Sequence, residues 1–267
     1  MFEFVCWNSS DMTTKKYFLV IIFLMLYGVD NATATNPIMI TISSDMDKII
    51  FDGRWTHETE WKRSSLDTLS YDDETIIQLR TAHQDNFIYV FVDAVTDTHL
   101  DSGMDRTVIC LDGNNDKLET TNADDYCFVV TLDEKESFVL QGGSSLELND
   151  HFTKIVTPEG FIGMSSVSDE NDRYSKIPHP SYEFRIPIEL VGRKDTYGFY
   201  LGVYDAHSNK TYSWTQNIIL GSIQVPSPST WGELVSPDKS LPEFEWPMLA
   251  LLPAFSLAVY LTKFRYR

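Results

Sequence analysis

A histidine, two glutamates and a tryptophan stand within five positions of the chain, over residues 57–61, which read HETEW. Such a group predicts either a metal site or an acid/base pair. A zinc-protease helix of the H-E-x-x-H type needs a second histidine four residues after the first, and position 61 is Trp61. The other histidines are scattered singly, so their spacing predicts no zinc site. The segment is instead interpreted as the entry to a folded domain.

Nucleophilic catalysis lacks its usual sequence signals. The chain has no G-x-S-x-G elbow, and its cysteines have no evident histidine partner. Two serines follow Gly142-Gly143, where a phosphate-binding loop has lysine and threonine. Carboxylates are so numerous that a glycosidase-like pair of acids carries no information. The sequence therefore favours a protein without catalytic activity.

An acidic stretch at 112–125, DGNNDKLETTNADD, alternates oxygen ligands as the first half of a calcium loop does. Lys117 stands where an EF-hand has glycine, and Ala123 stands where it has the bidentate acid. A calcium site of another geometry and a solvated turn between two strands both remain open. The candidate calcium ligands are Asp112, Asn114, Asp116, Asp124 and Asp125.

Aromatic residues beside amides predict a place where a sugar ring stacks and its hydroxyl groups are bound. Trp214 is the best stacking candidate, and the alternative is that its ring fills the core. Trp61 and Trp231 are interpreted as plugs of the core or of an edge. The candidate ligand-binding residues are Trp55, Tyr212, Trp214, Gln216 and Asn217.

Short apolar and aromatic stretches separated by turn residues dominate the middle of the chain, and no segment keeps a helical period. This pattern predicts an all-β fold, an antiparallel β-sandwich of the jelly-roll type, over residues 35–236. The predicted strands are 38–42, 73–82, 86–96, 106–112, 125–133, 136–143, 160–167, 181–190, 197–206 and 210–218.

Both ends of the chain resemble targeting segments. Residues 1–34 predict a signal peptide, with Met12 as an alternative start, two lysines before an apolar run and a small-x-small site at 32–34. A stretch rich in proline and serine at 225–231 is interpreted as the start of a stalk that continues over 237–244. Residues 245–264 predict a single transmembrane helix, and the basic end at 265–267 predicts a cytoplasmic terminus. The body is therefore expected outside the cell membrane.

Export and charge set further expectations. The net charge of −18 disfavours nucleic acid as a partner. Cys110 and Cys127 stand on two predicted strands, where either a disulfide or two buried free thiols fits. Asn209-Lys210-Thr211 is a glycosylation sequon in a predicted turn.

Five motifs, in order, resemble the family-9 carbohydrate-binding modules and their DOMON-like relatives. The motifs are FDGRWTHETEW, HQDNFIYVFVDAVTD, TVICLDGNND with DDYCFVV, YEFRIPIELVG and PSTWGELV, and they span about residues 40–235. The C-terminal Pro242-Glu243-Phe244, with its apolar helix and basic end, resembles the Pro-Glu-Phe sorting tails of archaeal surface proteins.

The family resemblance implies a β-sandwich that binds carbohydrate without catalysis, in some members with structural calcium. The DOMON-type relatives imply a first alternative, a redox domain that binds haem b through Met104 or Met164 and a histidine. A structural component of the surface layer, or an adhesion protein, is the second alternative. The expected partners are a surface or environmental glycan and, through the C-terminal helix, the membrane.

Overall fold

The computed structural model describes residues 36–133, 137–143, 152–214 and 217–236. Nearly all regular structure in these ranges is β. The strands are β1 (Ile38–Met39), β2 (Thr41–Ile42), β3 (Ser65–Ser70), β4 (Ile76–Gln84), β5 (Phe87–Asp93), β6 (Arg106–Asp112), β7 (Asp125–Thr131), β8 (Phe138–Gln141), β9 (Thr153–Ile155), β10 (Ile162–Val167), β11 (Pro180–Pro187), β12 (Thr196–Asp205), β13 (Lys210–Trp214), β14 (Asn217–Leu220) and β15 (Gly232–Val235). One short helix, α1 (Ile188–Val191), and two 3₁₀ turns, Met46–Lys48 and Pro228–Thr230, complete the described elements.

Two sheets account for all the described strands. Nine strands form the first sheet, in the order β1-β15-β12-β6-β7-β8-β9, with β13 beside β12 and β14 beside β13. Six form the second, in the order β10-β11-β5-β4-β2, with β3 also beside β4.

The sheets are mixed, which corrects the expectation of a purely antiparallel sandwich. The β1–β15 and β2–β4 pairs are parallel, and the other pairs are antiparallel. These two strands precede the first hairpin, so no tight turn forces them to run antiparallel to a sequence neighbour. Residues 38–42 thereby join one sheet and then the other as the chain enters the fold.

The main core lies between the two sheets. Val90 and Phe184 from the second sheet are buried in one cluster with Leu111, Phe128 and Phe199 from the first. Every position of β5 after Phe87 is buried, because other residues also cover the outer face of its sheet. The alternation that a half-exposed strand shows is therefore lost in β5.

Two smaller clusters cover the outer faces. Trp55, Trp61 and Phe91 belong to the cluster on the second sheet. Cys110 and Trp231 belong to the cluster on the first sheet. Burial of Trp61 and Trp231 confirms that both act as plugs. The interpretation of 225–231 as part of a stalk is wrong, because Trp231 packs on the sheet and its indole N–H donates to the Pro226 carbonyl at 2.9 Å.

The predicted signal peptide, the stalk over 237–244, the transmembrane helix and the sorting tail lie outside the described residues. Within the described ranges, no helix has the length and apolar character needed to cross a bilayer.

Candidate functional site

The three aromatic residues among the ligand-binding candidates are buried, which favours the alternative that the sequence left open for Trp214, a ring that fills the core. Trp214, Tyr212 and Trp55 are 7%, 5% and 1% exposed. The Trp214 ring lies so close to Gly232 that a Cβ there would come within 1.7 Å of it, and it packs beside Phe199 in the core. Rings covered in this way have no face for a ligand.

Polar contacts hold the other two rings in place. The Tyr212 hydroxyl donates to an Asp73 carboxylate oxygen at 3.0 Å. The Trp55 indole N–H donates to the His57 carbonyl at 2.6 Å, and the Arg80 guanidinium lies 5.2 Å from its ring centre. Asn217 is exposed at the first position of β14, and Gln216 lies outside the described residues.

The acidic loop after β6 uses its carboxylates to hold its own backbone. Asp112 Oδ1 accepts the N–H groups of Asn114 and Asn115 at 3.1 and 2.6 Å. Asp124 Oδ2 accepts the N–H of Asn114, and Asp116 Oδ1 accepts that of Leu118. These bonds are those of a hydrogen-bonded turn, which the sequence left open beside a calcium site.

Asp125 is the most perturbed acid of this loop. It is 1% exposed and lies directly opposite Asp112 on the paired strand. Burial raises the pKa of Asp125 to about 7, and the neighbouring acids act in the same direction. In the described part of the chain, two sets of three acid or histidine side chains bring one ligand atom each within 4.8 Å of the others. Neither set includes a residue of this loop. Calcium in this loop stays a prediction.

The remaining candidates lie at separate places. Cys110 and Cys127 are directly opposed on β6 and β7 and joined by a disulfide. Asn209 is exposed in the turn between β12 and β13, so its glycosylation stays a prediction. Met104 is 52% exposed, and Met164 is half-buried on β10. These positions do not test the haem alternative, which stays a prediction.

A cleft of about 610 Å³ opens where the β4–β5 turn, the loop before β10 and the α1 turn meet. The polar side chains of the cleft include two carboxylates, an amide and a guanidinium, and all four are exposed. The cleft residues used below are Asn86, Phe87, Glu159, Glu189 and Arg193.

Backbone and side-chain contacts fix the walls of this cleft. The N–H of Ile188, the first residue of α1, donates to the Asn86 carbonyl at 2.8 Å. Arg193 Nη2 donates to Asn86 Oδ1 at 3.2 Å. Gly160 has a φ of 84°, a conformation that glycine adopts without strain, and its carbonyl accepts the Arg185 Nε–H at 3.1 Å.

The aromatic wall is Phe87, whose ring is half-buried. The Arg185 guanidinium lies 4.7 Å from the centre of the Phe87 ring.

Ile188 and Arg193 also line a second pocket, of about 170 Å³, together with His83 and Tyr197. Sequence reasoning missed this cleft, because its residues come from three separate turns and share no motif.

No family model and no curated protein matches this chain. Among solved structures, a family-9 carbohydrate-binding module from Caldicellulosiruptor kristjanssonii in complex with cellotriose is similar over 75% of this chain and 93% of its own, with 17% identity and a TM-score of 0.47. The same module in complex with glucose is similar over 75% and 95%, with 15% identity and a TM-score of 0.45. With TM-scores below 0.5 and identities below 25%, the likeness carries no argument about the site, which is argued from this chain's own residues.

Proposed function

We propose that this protein is a non-catalytic binding domain and that the cleft beside Phe87 takes a carbohydrate. The observation that carries the proposal is the composition of that cleft, a single aromatic ring among exposed carboxylates, an amide and a guanidinium. Sugar binding needs an apolar surface for the ring carbons and planar polar groups for pairs of hydroxyls. The order of the five sequence motifs points to the same ligand class.

Charge in the cleft argues against an anionic ligand. Among the residues that line the cleft, Glu159 and Glu189 outnumber Arg193, although Arg185 lies next to the Phe87 ring, and the whole chain carries −18. A phosphate or a nucleic acid would meet repulsion there, whereas a neutral polyol would not. A neutral glycan is therefore the proposed ligand.

A glycan array with the full-length chain tests the proposal, followed by calorimetry with each soluble ligand that binds. The panel includes glucose and cello-oligosaccharides. We expect binding without turnover, and at least ~10-fold weaker binding for Glu189→Ala and for Asn86→Ala, because a hydrogen bond to a charged or polar group contributes about 1–3 kcal/mol. Glu119→Ala, an exposed acid on another loop, is the matched control and should bind normally.

A blank array, or a ligand whose affinity is the same for all three variants, would contradict the proposal. Melting temperatures of the variants distinguish lost contacts from lost folding. Asn86, Glu189 and Glu119 are all exposed, and Asn86→Ala removes only the exposed hydrogen bond from Arg193, so we expect the melting temperature of all three variants to change little.

The placement of this domain at the cell surface is a second part of the proposal. It rests on the sequence of the termini, a signal-like segment before residue 35 and an apolar segment with a basic end over 245–267. Protease treatment of intact cells tests it. We expect the domain to be cut from a fragment that stays with the membrane, and full protection of the chain would contradict it.

A further inference from the structure

A histidine and two aspartates converge beneath the loop that joins β10 to β11. Asp93 ends β5, whereas Asp172 and His179 lie in the loop, and all three are at most 1% exposed. One ligand atom from each lies within 4.8 Å of the others. The His179 Nε2 atom is 2.6 Å from Asp93 Oδ1 and 3.9 Å from Asp172 Oδ1.

Two buried carboxylate oxygens of this group, Asp93 Oδ2 and Asp172 Oδ2, have no hydrogen-bond partner. The other Asp93 oxygen, Oδ1, is paired with His179 Nε2 at 2.6 Å. An unpartnered buried polar atom costs about 1–3 kcal/mol, so two in one place, beside a buried ion pair, indicate a missing partner common to them.

The other side of the imidazole is already engaged. His179 Nδ1 lies 2.7 Å from the Ile177 carbonyl oxygen. Because a carbonyl oxygen only accepts hydrogen bonds, Nδ1 carries a proton and donates it. A divalent ion that displaces the Nε2 proton would meet the lone pair of Nε2 directed at the two aspartates, while Nδ1–H keeps its bond to the carbonyl. Metal-binding histidines commonly donate their second ring nitrogen to a carbonyl in this way.

Charge balance favours a divalent cation over an imidazolium. Two aspartates with a protonated histidine leave one uncompensated negative charge in a fully buried group. Two aspartates and a neutral histidine around a divalent ion sum to zero, which removes most of the cost of burial.

We propose that Asp93, Asp172 and His179 bind a zinc ion that fastens the β10–β11 loop to the outer face of the second sheet. One imidazole and two carboxylates are a donor set that zinc accepts, and either free carboxylate oxygen can supply a fourth position. Ligands of a tetrahedral ion lie about 3.3 Å apart, so Asp93 must move outward by roughly 0.7 Å when the ion binds. This inference is independent of the carbohydrate proposal.

Metal analysis of the full-length protein, dialysed after exposure to zinc chloride, is the first test. We expect one equivalent of zinc per chain and a fall in melting temperature when a chelator removes it. Cobalt substitution should give the absorption bands of a tetrahedral site. Absence of retained zinc together with no effect of the chelator would overturn the proposal and leave the triad as an ion pair.

Asp172→Asn is the informative variant, because its side-chain oxygen can still accept the N–H groups of Tyr174 and Ser175. We expect its zinc affinity to fall more than ~100-fold, since even residues behind the ligands change affinity about 10- to 100-fold. Asp116→Asn, in the acidic loop, is the matched control and should bind normally. Zinc binding lost in Asp116→Asn but kept in Asp172→Asn would place the ion in that loop and overturn the proposal.

Discussion

At the scale of single residues, Glu183 explains the segment that first suggested catalysis. Its carboxylate accepts the Gly53 backbone N–H at 2.8 Å and the Trp61 indole N–H at 3.0 Å. Gly53 has a φ of 87°, and a Cβ there would come within 2.1 Å of the Ser165 backbone, so only glycine fits. Glu60 accepts the N–H groups of Ile50 and Thr56. Glu60, the buried acid of this segment, therefore holds the backbone of the segment in place.

Replacement of Glu183 by alanine should be strongly destabilising. Two buried N–H donors lose their acceptor, which costs about 1–3 kcal/mol each, so the free energy of unfolding should fall by roughly 2–6 kcal/mol. Urea denaturation measures this change. Glu58→Ala is the matched control, because Glu58 is exposed and contacts only Lys62 among these groups. A midpoint for Glu183→Ala equal to that of the control would contradict the structural role.

At the scale of elements, the strands with the most apolar residues were predicted best. The predicted strand 106–112 coincides with β6, and 125–133 contains β7. The short polar strands β3, β9 and β15 were missed, because pairing with a neighbour decides their conformation more than local sequence does. The predicted strand 181–190 ends instead at Pro187, and α1 begins at the next residue, Ile188.

The candidate site was beyond prediction for a related reason. The cleft gathers turns at 85–87, 158–160 and 187–193, which are brought together by the pairing of β4, β5 and β11. The amides beside Trp214 predict a ligand site, yet β13 directs the ring of Trp214 to the core. Side-chain direction depends on strand register, and composition does not determine register.

The disulfide should stabilise the pairing of β6 with β7. Cys110 and Cys127 are 17 residues apart, and closing a loop of that size contributes about 3 kcal/mol through the unfolded chain. The double variant Cys110→Ala with Cys127→Ala should unfold at clearly lower urea concentration. Because both cysteines are fully buried, a mild reductant should leave the native wild type unchanged and lower its midpoint only when present during unfolding. Equal midpoints with and without reductant during unfolding would contradict this role.

At the scale of the whole molecule, acidity and burial act together. The chain carries −18 at pH 7, and part of this charge is forced together at the ends of strands. Burial raises the pKa of Asp97 to about 7, and Asp205 and Asp105 beside it act in the same direction. Burial likewise raises the pKa of Asp125 to about 7, and neighbouring acids act in the same direction. Folding therefore favours the protonated form of both side chains.

Stability should consequently rise as the pH is lowered from 8 to 5.5. An aspartate whose pKa is near 3.8 in the unfolded chain and about 7 in the folded chain binds its proton more strongly when folded. That contribution is complete below the unfolded value and is lost as the pH rises through about 7. The melting temperature of Asp97→Asn with Asp125→Asn should exceed that of the wild type at pH 8 and vary less with pH. Measurement in 0.5 M sodium chloride separates this effect from surface repulsion, because salt screens exposed charges far more than buried ones. A pH dependence that salt abolishes, or that the double variant keeps in full, would assign the effect to the surface charge.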